Sequence, residues 1–213
     1  MGVKVKICGI TNLQDAEAAI DLGADALGFN LWPRSKRFVD IRRESEWIHQ
    51  LPDSILKVAV TVNPTEKEAR DIFALPFIDL LQFHGEEEGS FCSKFVGEPK
   101  PFMKAIAVRD SSSCAQVERF RTENILLDAY APGAFGGTGR TIDWDLAALF
   151  VRDHPELKVF LSGGLTPDNL GTAIQKVKPF AVDVASGVEQ RPGKKDVGLM
   201  RAFLEAAKSA LNG

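Results

Sequence analysis

Short apolar runs recur along this chain at a nearly constant interval, and that interval limits the possible folds more than any other feature. They begin at Val3, Asp25, Leu56, Ile78, Phe102, Asn124, Leu157 and Phe180. Most are rich in Val, Ile, Leu and Phe, the composition of parallel strands buried on both faces. The first run differs. Val3 to Ile7 alternate apolar and basic residues, as a strand with one buried face does, with Lys4 and Lys6 on its other side.

Helix signals fill the gaps between runs. Asn12 is placed to cap LQDAEAAIDL and Gly23 to close it. Thr65 with Glu68 three residues on has capping-box spacing ahead of EKEARDIFAL. Thr166-Pro167 fits an N-cap followed by proline in the first turn. Strand alternating with helix eight times predicts an α/β fold, one (β/α)8 TIM barrel over residues 1–213, with eight parallel strands inside a ring of helices.

Successive runs start 22, 31, 22, 24, 22, 33 and 23 residues apart. The two long intervals hold extra residues after the second run (LWPRSKRFV) and after the sixth (YAPGAFGGTGRTI). In such a barrel the loops that follow the strands build the active site. A chain that is minimal elsewhere and still keeps two long loops there is expected to use them. The second contains Gly133, Gly136, Gly137 and Gly139, which suits closure over a substrate.

With 45% hydrophobic residues in 213, the chain can bury a sizeable core. Its net charge of -3 argues against broad binding to nucleic acid or acidic membranes, so any anion site must be local. No apolar run approaches the ~18 residues of a membrane span. Cys8, Cys92 and Cys114 have no CxxC spacing and form no even framework, which predicts free thiols in a reducing cytoplasm. No exposed apolar helix face stands out, and a monomer is expected.

The strand ends place several reactive groups at one rim. Cys8 ends the first strand and Asp128 the sixth. A lone cysteine has a plainer reading as a small buried hydrophobe, and Asp128 one as a loop cap. Gly163-Gly164 and Ser186-Gly187 follow the seventh and eighth strands, where barrels of this kind often hold phosphate. Their N–H groups have no Cβ in the way of an anion. Asp183 could hold substrate hydroxyls or pair with a basic residue. His84 could touch ligand or bond backbone. Arg37, one of three cations in PRSKRFV, could be solvated or could receive a carboxylate in its planar fork. No pair of histidines joins a carboxylate at the strand ends, and no metal is expected.

The segments VKICGITNLQDAEAAIDLGADALGF, PRSKRFV, VNP, LLQFHGEE, LLDAYAPGAFGGTGRTIDW, LSGGLTPDN and VDVASGVE occur in this order. Together they resemble the phosphoribosylanthranilate isomerases of tryptophan biosynthesis. The resemblance implies an Amadori rearrangement of a phosphorylated small molecule without metal or organic cofactor. It implies Cys8 as general base, Asp128 as general acid and Arg37 on the anthranilate carboxylate. Gly163, Gly164, Ser186 and Gly187 would hold the phosphate. Such chemistry calls for a carboxyl that keeps its proton near neutral pH and a thiol that gives its proton up easily. Asn30, Trp32 and Thr61 depart from the family's usual residues near the mouth. The rival readings are another sugar-phosphate isomerase on the same barrel and a phosphate-ligand sensor that has lost catalysis.

Overall fold

The computed structural model describes residues 2–115, 117–130 and 141–210. Gly133, Gly136, Gly137 and Gly139 of the long loop after the sixth strand lie outside the described residues.

Eight parallel strands close on themselves in chain order: β1 (Lys4–Cys8), β2 (Ala26–Asn30), β3 (Leu56–Thr61), β4 (Leu80–Phe83), β5 (Phe102–Val108), β6 (Asn124–Ala129), β7 (Lys158–Leu161) and β8 (Ala181–Val184). Each starts within two residues of the position that its apolar run marks. The barrel shuts where β8 pairs with β1, and there Lys6 stands opposite Asp183.

Helices α1 (Leu13–Leu22), α2 (Ser45–Gln50), α3 (Glu66–Phe73), α4 (Gly89–Cys92), α5 (Trp144–Asp153), α6 (Pro167–Val177) and α7 (Val197–Ser209) run around the outside. Their ends form as the side chains demand. The Asn12 side chain accepts from Asp15 N at 2.9 Å, and Gly23 closes α1 with φ 97°. Thr65 and Glu68 make the reciprocal capping box of α3.

The fifth crossover departs from expectation. Two 3-10 turns, Ser111–Cys114 and Val117–Phe120, stand where the repeat predicts a helix. Serine side chains compete for backbone groups in this stretch. Asp110 accepts from Ser112 N at 2.9 Å, and Ser113 Oγ accepts from Arg109 N at 3.0 Å.

The core has two layers. One packs outward-facing strand residues such as Ile7, Leu127 and Val182 against the helices. The other fills the barrel with Ala26, Val58, Val60, Leu80, Met103, Ala105, Leu126, Phe160 and Ala181, and Cys8 packs against it. Side chains alternate along a strand, so the interior also receives Lys6, Gln82, Asp128 and Asp183. Lys6 therefore corrects the reading of β1 as a strand with one buried face. Its side chain is 0% exposed, because the second face of β1 meets a barrel interior and not water.

Candidate active site

Asp128 and Asp183 each stand two positions beyond an apolar residue of the barrel filling, which lifts them to the C-terminal mouth. Asp128 stands above Leu126 on β6 and Asp183 above Ala181 on β8. Asp128, Asp183, Gly163, Gly164, Ser186 and Gly187 line one cleft there.

Two of these glycines are required by geometry. Gly163 has φ 88°, and a Cβ on it would lie 2.8 Å from Ala129 N and 3.2 Å from Asp128 Oδ1. The turn after β7 thus presses on the end of β6. A Cβ on Gly187 would collide with the Leu165 carbonyl, so the turns after β7 and β8 interlock. Within the first turn of α6, Asn169 Oδ1 accepts from Thr166 N at 2.9 Å, as the Thr166-Pro167 start foretells.

Asp128 is held by neighbours on both sides. Its Oδ1 accepts from Ala129 N at 2.8 Å, and its Oδ2 lies 3.1 Å from His84 Nε2. His84 Nδ1 lies 2.6 Å from Gln82 Nε2. The His84 ring therefore links two side chains at the mouth. Gln82 Oε1 is buried without a hydrogen-bond partner among the described residues.

Asp183 takes the pairing role. Its Oδ1 accepts from Lys6 Nζ at 2.6 Å inside the barrel, and its Oδ2 accepts from Ser162 Oγ at 3.2 Å. Lys6 in turn lies beside Cys8. Burial pushes the Cys8 thiol above its ordinary range, more than the nearby Lys6 and Lys195 ammonium groups pull it down. That direction is opposite to the expectation of a thiol that gives its proton up easily.

Arg37 reaches the same rim from the loop after β2. Its side chain lies over Gly9, whose Cβ would collide with Arg37 Cδ and whose φ is 76°. That accounts for glycine after the cysteine. The guanidinium forks onto Glu189, with Nε at 2.8 Å from Oε1 and Nη2 at 2.7 Å from Oε2. Nη1 stays outside this pairing.

Glu189 begins a short hairpin, β9 (Glu189–Arg191) and β10 (Lys194–Lys195), that sequence reasoning did not single out. Lys195 returns from it and is buried, donating to Cys8 O at 2.6 Å, Glu189 Oε1 at 3.0 Å and Ala185 O at 3.1 Å. Lys6 and Gln82 were also missed. Each lies two positions before a singled-out residue on the same strand, Cys8 or His84, and strand periodicity was the available signal. Thr61 faces away from the cleft and donates to the Gln82 carbonyl at 3.2 Å. Asn30 Oδ1 accepts from Trp32 N at 3.0 Å.

A family model described as N-(5'phosphoribosyl)anthranilate (PRA) isomerase matches residues 5–206. The chain belongs to the phosphoribosylanthranilate isomerase family. An N-(5'-phosphoribosyl)anthranilate isomerase from Pelobacter propionicus is 45% identical over 206 residues, covering 97% of this chain and 96% of that protein. The crystal structure of the family member from Thermotoga maritima superposes with a TM-score of 0.86 at 38% identity, over 97% of this chain and 99% of the other. Another isomerase structure of the family holds reduced 1-(o-carboxyphenylamino)-1-deoxyribulose 5-phosphate; its TM-score is 0.83 at 37% identity, with 97% and 99% coverage.

Proposed function

We propose that this chain isomerises N-(5-phosphoribosyl)anthranilate to 1-(2-carboxyphenylamino)-1-deoxyribulose 5-phosphate in tryptophan biosynthesis, with Asp128 as acid and Cys8 as base. The observation that carries the reading is the single cleft that joins Asp128 and Asp183 to the turns after β7 and β8, with Cys8 on the adjoining strand end.

The turns at Gly163-Gly164 and Ser186-Gly187 offer an anion close approach to backbone, which seats the phosphate. Arg37 Nη1 is available to the anthranilate carboxylate while Glu189 fixes the rest of the guanidinium. Asp128 gives its proton to the furanose ring oxygen as the anthranilate nitrogen pushes the ring open to a protonated Schiff base. Cys8, as thiolate, takes the proton from the sugar C2. The resulting enolamine gains a proton at C1 as its C2 hydroxyl gives one up, which makes the ketone, and exchange with water moves the proton from Cys8 back to Asp128, so the atoms balance without a cofactor.

His84 and Gln82 can serve both states of the acid. With the Gln82 amide donating to Nδ1, Nε2–H donates to an Asp128 carboxylate. With the amide turned over, Oε1 accepts from Nδ1–H, and Nε2 accepts from a protonated Asp128.

The reading carries with it a reducing cytoplasmic setting, in which Cys8 stays a free thiol, and a monomeric working unit. Loss of phosphoribosylanthranilate fluorescence tests the reaction. Cys8→Ala and Asp128→Ala are each expected to lower kcat by at least ~10²-fold. Near-wild-type turnover in either variant removes that residue from its role.

A further inference from the structure

Proton transfer between Asp128, Cys8 and a sugar leaves Lys6, a deeply buried charge beside the thiol, without a task. Lys6 is fully buried inside the barrel, two residues before Cys8 on the same inward face of β1. Removing an ammonium from water costs several kcal/mol, and a buried ion pair such as Lys6–Asp183 can often be replaced by apolar side chains of similar volume at no loss of stability. Packing alone therefore does not call for lysine here.

Its surroundings point to the thiol. Gly28 is the residue opposite Cys8 on β2. A Cβ there would stand 2.7 Å from Cys8 Sγ and 3.1 Å from Lys6 Nζ, so sulfur and ammonium face the same small gap. Asp183, at 2.6 Å, anchors the ammonium from β8. Burial opposes the charge on Lys6, yet Asp183 and Cys8 outweigh it and hold the proton on more firmly than water would.

The charged groups around the thiol come from five places in the fold. Lys6 lies on β1, Arg37 in the loop after β2, Asp183 on β8, Glu189 on β9 and Lys195 on β10. That makes three cations against two carboxylates, and one further negative charge balances the set.

We propose that Lys6 is the positioning residue that stabilises the Cys8 thiolate, with Asp183 fixing the ammonium beside the sulfur. The proposal rests on Cys8 as the base of the reaction. The thiol proton leaves to hydroxide or a buffer base at the open mouth, and Lys6 stays protonated throughout. Lys195 is pinned to two backbone carbonyls and to Glu189, whereas Lys6 has, besides its carboxylate, a side-chain hydrogen bond with the sulfur. Of the two lysines, Lys6 is the one placed to answer a charge on sulfur.

Alkylation by iodoacetamide, followed against pH by mass spectrometry of the Cys8 peptide, distinguishes Cys8 from Cys92 and Cys114 and needs no turnover. In Lys6→Met the alkylation midpoint is expected to rise by about one pH unit or more, a tenfold smaller thiolate fraction at a given pH. Turnover number falls in parallel, while KM changes little. Asp183→Asn, which removes an anion and keeps the ammonium, moves the midpoint down. The double variant Lys6→Met/Asp183→Asn avoids a stranded buried carboxylate, so it guards against loss of folding in the single one. Its midpoint also rises. An unchanged midpoint in Lys6→Met and in the folded double variant, with only Tm lowered, overturns the proposal and leaves Lys6 a structural ion pair. Full turnover in Cys8→Ala would instead refute the base assignment, whereas the midpoint decides Lys6 by itself.

Discussion

Glu189 shows how much one side chain outside the reacting pair can organise. It holds the Arg37 fork and the Lys195 ammonium at once, and its own side chain is 4% exposed. Burial works against its charge, but Arg37 and Lys195 outweigh burial and keep the carboxyl below the usual glutamate range. The folded-state pKa is thus lower than the unfolded value of 4.5. The stability that Glu189 supplies is complete above that pH and is lost as pH falls through the folded value. Thermal melts of the wild type are expected to lose Tm on acidification below about pH 4.5. In Glu189→Gln that acid limb becomes shallower, and Tm at neutral pH drops by the equivalent of about 3 kcal/mol, since the buried Lys195 and the half-buried Arg37 lose their partner. An unchanged acid limb would show that Glu189 is not the group responsible. Steady-state kinetics of the same variant should show a raised KM, because Arg37 is no longer held at the rim.

At the level of elements, the two turns that would seat phosphate behave as one unit, because Gly187 leaves no room between itself and the Leu165 carbonyl. Gly187→Ala forces the turns after β7 and β8 apart. The expected outcome is KM raised by about tenfold with kcat changed less, measured beside a Tm lowered by a few degrees. An unaltered KM would mean that the two turns do not share the anion. The elements themselves were largely readable from local chemistry. Apolar runs marked every strand of the barrel, and Asn12, Gly23, Thr65 and Thr166 marked helix ends, because these signals act over three or four residues. The fifth crossover was misread because the repeat predicted a helix that its serines do not support. Lys6 was misread for a deeper reason. Alternation by twos looks the same whether the second face meets solvent or the inside of a closed barrel. Glu189 and Lys195 carried no local signal, since Arg37 lies 152 residues from Glu189 and Cys8 lies 187 residues from Lys195. The strand ends revealed where the site lies, while its internal pairing emerged only in three dimensions.

For the molecule as a whole, closure of the barrel leaves no free strand edge among its eight strands. The exposed large apolar residues among those described are Leu13, Phe38, Val96, Leu149, Phe180, Val197 and Leu199, and no helix carries more than two of them. Light scattering at micromolar concentration is therefore expected to return the single-chain mass of 23.3 kDa. Twice that mass would refute the monomer. One solved relative, from Thermotoga maritima, is described as a dimeric isomerase from which monomers were generated, so the measurement separates two real alternatives. Lys6 and Asp183 are separated by 177 residues of chain, and they meet only when the eighth strand zips onto the first. During synthesis the ribosome makes the sulfur early and the carboxylate that steadies its neighbour very late. A nascent chain stalled before residue 180 thus carries an ammonium with no counter-ion. Only a chain made nearly to its end holds both members of this pair and the strand that brings them together.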